Sequence, residues 1–263
     1  MIDKKEYLLH SIIKAYIEHL EPIGSTQLKS MYDISYSPAT IRGYFKKLGE
    51  EGFLAQEHVS SGRTPTTEAL KQYWSGKLNF KLDFVDKKAI EYFSKKLGIA
   101  VFVQEQKSDT LKEIFNVENR YMILEFSSFA ITVKYSDALH RFLKDMLGLE
   151  WFHIVNISKQ VGALEIYEKV SQHLQNKNFH IFNTKEFFSL ALKYNYDERS
   201  INGFLKGSVI DTLKEGIYFD DIIPEGYIAI CHNCKIENKN IKMLVVGELS
   251  KDYEYFYNKI NMS

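Results

Sequence analysis

Apolar residues in the first 75 positions recur at helical spacing in three places, separated by short polar breaks. Tyr7, Leu8, Leu9, Ile12, Ile13, Tyr16, Ile17 and Leu20 form the one-sided stripe of an amphipathic helix. Glu21-Pro22-Ile23-Gly24 interrupts it, and Ser25 can cap a short helix carrying Leu28 and Met31. A loop over 32–36 leads to a third stripe, Ile41, Tyr44, Phe45 and Leu48, at i, i+3, i+4, i+7. Ser37 suits the N-cap, Pro38 the first helical position, where its missing N–H is harmless, and Gly52 a stop, so the spacing predicts a helix over 38–50. Residues 56–66 then read as a basic, glycine-tipped hairpin, after which Thr66 or Thr67 can cap a helix through Leu70, Tyr73 and Trp74. Helix, turn, short helix, turn, helix, hairpin is the order of a winged helix-turn-helix domain, here residues 1–78.

Beyond a loosely alternating link over 79–84, helices and strands intermix. The pattern predicts helices over 87–97, 161–174, 185–192 and 199–214 and a last one from 250. Strands are expected at 99–103, 121–126, 130–135, 151–157, 179–182, 227–231 and 241–246. Such a mixture points to an α+β second domain over 85–263.

The face of the 38–50 helix opposite its apolar stripe carries Ala39, Thr40, Arg42, Gly43, Lys46 and Lys47. From 36 to 49 there are three cations and no acid. Small residues let a helix approach base edges in the major groove, and cations beside them reach phosphates or guanine. The hairpin offers His58, Ser60, Ser61, Gly62 and Arg63, with Arg63 suited to a narrow minor groove. Together with Ser37 at the helix start, these twelve residues are the candidate DNA-contacting set. The plainer readings are a solvated surface helix, an Arg42 held in an intradomain salt bridge, and a His58 packed on the base of its own hairpin.

Three motifs in this stretch resemble the HrcA family of heat-inducible transcription repressors: Pro22-Ile23-Gly24-Ser25, Ser37-x-Ala39-Thr40-Ile41-Arg42, and Gln56-Glu57-His58-x-Ser60-x-Gly62-Arg63-x-Pro65. Glu57 stands where that family has proline, and Phe45 and Gly49 where methionine and glutamate are usual. Of the family's C-terminal Gly-Pro-x-Arg-Met-x-Tyr segment, Gly247 and Tyr253 remain. The resemblance implies a GAF-like α+β domain after the winged helix, interrupted by a dimerising insertion that is reduced here and set at about 160–215. It also implies a repressor of chaperone operons that acts as a homodimer on double-stranded DNA, at an inverted-repeat operator of the CIRCE type, and depends on the GroEL chaperonin. The alternative is a winged-helix regulator switched by a small molecule bound in its second domain.

Charge tempers the DNA reading. Lys plus Arg and Asp plus Glu are both 34 in 263 residues, so bulk attraction is absent and only the placement of cations can serve. No apolar run approaches the ~20 residues that span a bilayer, the N-terminus lacks a signal-peptide core, and two cysteines suit a reducing compartment, so the cytoplasm is expected. Cys231-His232-Asn233-Cys234 has no second cysteine pair and reads as two reduced thiols at a strand end, so no metal or cofactor is expected. Phosphate-cradling, dinucleotide-binding and nucleophile-elbow motifs are missing, so no enzymatic activity is expected.

Overall fold

A computed structural model describes residues 4–58, 61–78, 82–106, 109–174 and 179–262. Three helices, α1 (Lys4–His19), α2 (Ser25–Tyr32) and α3 (Pro38–Glu50), precede a hairpin of two short strands, β1 (Leu54–Ala55) and β2 (Thr64–Pro65), and α4 (Thr67–Lys77) follows. Next come α5 (Lys87–Leu97) and β3 (Ala100–Glu105). A meander of β4 (Leu111–Val117), β5 (Tyr121–Phe126) and β6 (Ala130–Lys134) leads to α6 (Asp137–Lys144), α7 (Trp151–Gln160) and α8 (Leu164–Leu174). The chain closes with β7 (Phe179–Phe182), α9 (Thr184–Lys193), α10 (Glu198–Leu205), α11 (Ser208–Thr212), β8 (Gly216–Tyr218), β9 (Tyr227–Ile236), β10 (Lys239–Glu248) and α12 (Tyr253–Ile260). These fall into two compact units, one running to Gln104 and resuming at His180, the other spanning Glu105–Phe179.

In the first unit Leu8, Ile12 and Ile13 of α1, Leu28 of α2 and Ile41, Phe45 and Leu48 of α3 are buried together. β1 and β2 pair antiparallel, Leu54 opposite Pro65. Ile23 adds a third rung by exchanging two backbone hydrogen bonds of 2.9 Å with Arg63. The larger sheet has the order β7-β3-β10-β9-β8. β9 and β10 are joined by a two-residue turn in which Glu237 and Asn238 both have positive φ, 48° and 67°, the type I′ geometry that matches strand twist. Phe102 of β3 meets Phe187 of α9 at 5.3 Å and Phe204 of α10 at 5.6 Å between ring centres, so an aromatic cluster fills the space between sheet and helices.

The core of the helical head continues into this sheet without a break. Trp74 of α4 is its bridge. Its indole N–H donates to the Leu249 carbonyl at 2.8 Å, and its ring meets Tyr253 edge-on at 5.2 Å. Tyr253 in turn donates to the Glu248 carbonyl at 2.9 Å. Gly247 makes room for it, since a Cβ there would lie 2.7 Å from the Tyr253 hydroxyl and 2.7 Å from Ile99. An ion pair between Lys71 and Asp220 flanks the same joint.

In the second unit β5 and β6 of the β4-β5-β6 meander alternate cleanly, with Met122, Leu124, Phe126, Ile131 and Val133 inward, while β4 is largely exposed. They pack with Leu143 of α6, Met146 in the turn after it, Ile154 of α7, and Ile166 and Val170 of α8.

Several elements differ from expectation. Residues 151–157 form the start of helix α7, not a strand: Ile154 and Ser158 are buried one turn apart, and the helical period outweighs the β-propensity of Trp, Phe, Ile and Val. The helix expected over 199–214 is broken into α10 and α11 at Gly207, whose φ is 75°. The helix expected from 161 begins at Leu164, after Gly162 turns at φ 74°. β4, α6 and β8 had no counterpart in the pattern reading. Part of the expected link, 79–81, lies outside the described residues, while the Asp83 carbonyl accepts from the Lys235 N–H at 2.8 Å, tying the rest to β9.

Replacing Trp74 by Phe keeps a ring but leaves the Leu249 carbonyl buried and unpaired. The unfolding free energy should drop by roughly 1–3 kcal/mol, measured by urea denaturation; an unchanged midpoint would contradict the role given to the indole N–H.

Candidate nucleic-acid interface

The start of α3 is built as its sequence suggests. Ser37 Oγ accepts from the Thr40 N–H at 3.1 Å and lies 2.9 Å from the Thr40 hydroxyl, with Pro38 at the first helical position. Ile41, Phe45 and Leu48 are buried and Tyr44 half-buried. Ser37, Ala39, Thr40, Arg42, Gly43, Lys46 and Lys47 are all exposed, so one face of the helix collects every candidate on it. No atom lies within 4 Å of where a Gly43 Cβ would sit.

The cations on this face are lightly held. Lys46 lies 3.9 Å from Glu50 one turn on, an exposed pair of the kind that contributes ~0.3–0.5 kcal/mol. Lys47 sits over the Tyr44 ring at 5.9 Å. Arg42 makes no ion pair among the described residues; its Nη1 donates to Ser25 Oγ at 3.3 Å. The salt-bridge reading of Arg42 therefore gives way to a neutral tether. Ser25 itself differs from expectation: it is the first residue of α2, and Gly24 is the cap, with its N–H donating to Gln27 Oε1 at 3.3 Å.

The hairpin tip is held by its own polar groups. Ser61 Oγ donates to His58 O at 2.7 Å and accepts from His58 N–H at 3.1 Å, and Gln56 Nε2 donates to Ser61 O at 3.0 Å. Ser61 thus shapes the turn. His58 is exposed there rather than packed on the hairpin base, while Ser60 lies outside the described residues. Arg63 is half-buried, with its backbone locked to Ile23. Gly62 is demanded by contact: a Cβ would fall 2.6 Å from the Pro22 carbonyl and 2.7 Å from that of Ile23. Sequence reasoning named the cations and the Pro22-Ile23-Gly24-Ser25 turn but not the contacts of that turn with Arg42, Gly62 and Arg63, since nothing in a lone Pro-Ile-Gly-Ser says what folds over it.

The CxxC pair lies within β9, not at its end, and both thiols are buried. Burial pushes Cys231 up to about 11 and Cys234 up to about 12, so both are protonated core groups. Among the described residues no cluster of three or more His, Cys, Asp or Glu could hold a metal ion. No described helix is long and apolar enough to cross a membrane.

Three helices, the third bearing the cations, and a two-stranded hairpin, set on an α+β body, define the winged-helix class of transcription regulators. The family profile described as HrcA C-terminal domain matches residues 74–263. The heat-inducible transcription repressor HrcA of Helicobacter pylori (strain ATCC 700392 / 26695) is 31% identical over 260 residues, covering 99% of this chain and 95% of that one. That of Thermodesulfovibrio yellowstonii is 27% identical over 86% of this chain and 63% of its own length. A crystal structure described only as a hypothetical protein has the same fold, with a TM-score of 0.51 at 19% identity over 98% of this chain and 97% of that one. The chain belongs to the HrcA family of heat-inducible transcription repressors, which are regulators and not enzymes.

Gly62→Ala should push the hairpin off the turn at Pro22 and Ile23. The expected result is faster amide exchange at Ile23 and Arg63 and a stability loss of roughly 1–3 kcal/mol; unchanged exchange at both amides would show that the close approach is not needed.

Proposed function

We propose that this repressor reads an inverted-repeat operator of the CIRCE type upstream of chaperone genes, as a homodimer, with α3 in the major groove and the hairpin at the adjacent minor groove or backbone. The observation that carries the reading is the face of α3: exposed small residues at its start, exposed Arg42, Lys46 and Lys47 behind them, and a buried apolar stripe opposite. In this reading Ser37, Ala39, Thr40 and Gly43 come nearest the bases. Arg42 is placed for a guanine edge, which a bidentate arginine discriminates by roughly 1–3 kcal/mol. Lys46, Lys47, His58 and Arg63 serve phosphates or the minor groove, and Gly62 and Ser61 shape the hairpin that presents them.

A homodimer follows from economy of contact. One winged helix buries too little for specific affinity, and a two-fold protein matches a two-fold site. Apolar side chains left exposed within the 160–215 segment support a subunit contact there: Leu164 is 59% exposed on α8, and Leu192 77% exposed on α9. Exposed Phe115 and Val117 on the edge strand β4 and exposed Tyr121 on β5 of the second unit add to that supply. The ligand-switched alternative finds less support, because Phe102, Phe187 and Phe204 already occupy the space between sheet and helices. Buried reduced thiols accord with the cytoplasm, where its DNA would be.

Activity set by the GroEL chaperonin accords with the family and with the chain itself. Its formal net charge is zero, and it has apolar β-segments such as Ile241–Val246 that invite association once the fold opens. Heat would remove active repressor by unfolding it while other clients occupy the chaperonin.

Two experiments test the reading. Gly43→Ala adds a methyl group to an open helix position, so it should stabilise the fold by about 0.5–1 kcal/mol while weakening operator binding in a gel shift. Undiminished binding would move the DNA away from that face. Heat-inactivated repressor should regain operator binding when chaperonin and ATP are added; recovery that is the same without them would leave direct thermal unfolding as the whole response.

A further inference from the structure

The turn at residues 22–25 touches both cationic elements of the proposed interface. At its end, Ser25 Oγ accepts the 3.3 Å hydrogen bond from Arg42 on α3. In its middle, Ile23 is fully buried and exchanges its two 2.9 Å backbone bonds with Arg63 on the hairpin. At its start, Pro22 lies under Gly62 so closely that no side chain fits between them. Ser25 is available for Arg42 because capping of α2 falls to Gly24 and Gln27. A serine hydroxyl takes one of the five guanidinium donors and leaves the others for a base edge or phosphate. It also restrains a long exposed side chain that would otherwise lose rotamer freedom on binding.

We infer that Ser25 is a positioning residue for sequence reading, and that the 22–25 turn sets recognition helix and hairpin in one register by holding Arg42 through a side chain and Arg63 through its backbone. The inference rests on the DNA-binding reading of α3 and deepens it. A carboxylate at this place would neutralise Arg42, whereas a hydroxyl orients it and leaves its charge available. The core anchor at Ile23 makes the turn rigid enough to serve as a reference for both arms.

The test is a double-mutant cycle on the full chain. Wild type, Ser25→Ala, Ser25→Thr, Arg42→Ala and the Ser25→Ala/Arg42→Ala pair are titrated against a duplex that the wild-type chain selects from a random pool. A scrambled duplex of the same length is the control. Ser25→Ala should weaken binding to the selected duplex roughly two- to tenfold, the scale of immobilising one long side chain. It should leave the scrambled duplex and the melting temperature unchanged. Ser25→Thr keeps the hydroxyl and should bind like wild type. With Arg42 already replaced, Ser25→Ala should have no further effect. Equal losses with and without the Arg42 side chain, equal losses on both duplexes, or no loss at all would overturn the inference. If the wild-type chain enriches no sequence, the DNA-binding reading itself falls, and the inference with it.

Discussion

Trp74 is shared between two parts of one core, and the placement of α3 depends on it. A buried indole N–H must find an acceptor, and the Leu249 carbonyl is the one that the end of β10 offers. Tyr253 closes the other side of the ring, and it fits there because Gly247 has no side chain. α4 also packs against α1 and β2, so the helix that completes the head is the helix that enters the sheet core. Head and sheet therefore share their stability within this unit. In the proposed reading, heat that loosens the joint would disturb the base on which α3 stands, a folded-state route from temperature to lost repression.

Electroneutrality makes the location of each charge matter more than the total. With no net attraction, affinity for DNA has to come from a local face, and the 36–49 stretch, which has three cations and no acid, is the one we propose. The boundaries of that face are acidic: Glu50 and Glu51 close α3, with Glu51 drawn to Lys5 of α1 at 2.8 Å, and Glu57 stands at the hairpin. Such a bounded patch favours one docking orientation over diffuse sliding contact. The neutral tether from Ser25 keeps Arg42 inside the patch without cancelling it.

Much of the head was legible because its signals are local. Ser37, Pro38 and the Ile41-Phe45-Leu48 stripe fix α3 through capping and periodicity alone, and the candidate cations follow as the remaining face. The Ile23–Arg63 rung and the Pro22–Gly62 contact were not legible, because they join residues about forty positions apart with no pattern of their own. In the body, short apolar runs misled: Trp151 to Ile157 has strand-like composition yet buries one helical face, and β4, largely exposed, lacked the alternation that marks β5 and β6. Gly207 was read as a residue within a helix because one glycine does not announce a positive φ. The survival of Gly247 and Tyr253 from the family's C-terminal segment becomes intelligible because Gly247 lies against Tyr253, which in turn packs on Trp74.

Sequence-specific repression at a two-fold site is the claim on which the rest turns. Genomic footprinting of the native repressor in its own cells, before and after a heat step, measures it most directly. The expected result is occupancy confined to inverted repeats upstream of chaperone genes, centred on the repeat and lost within minutes of heating. Occupancy spread evenly over the genome, or sites lacking two-fold symmetry, would contradict the account.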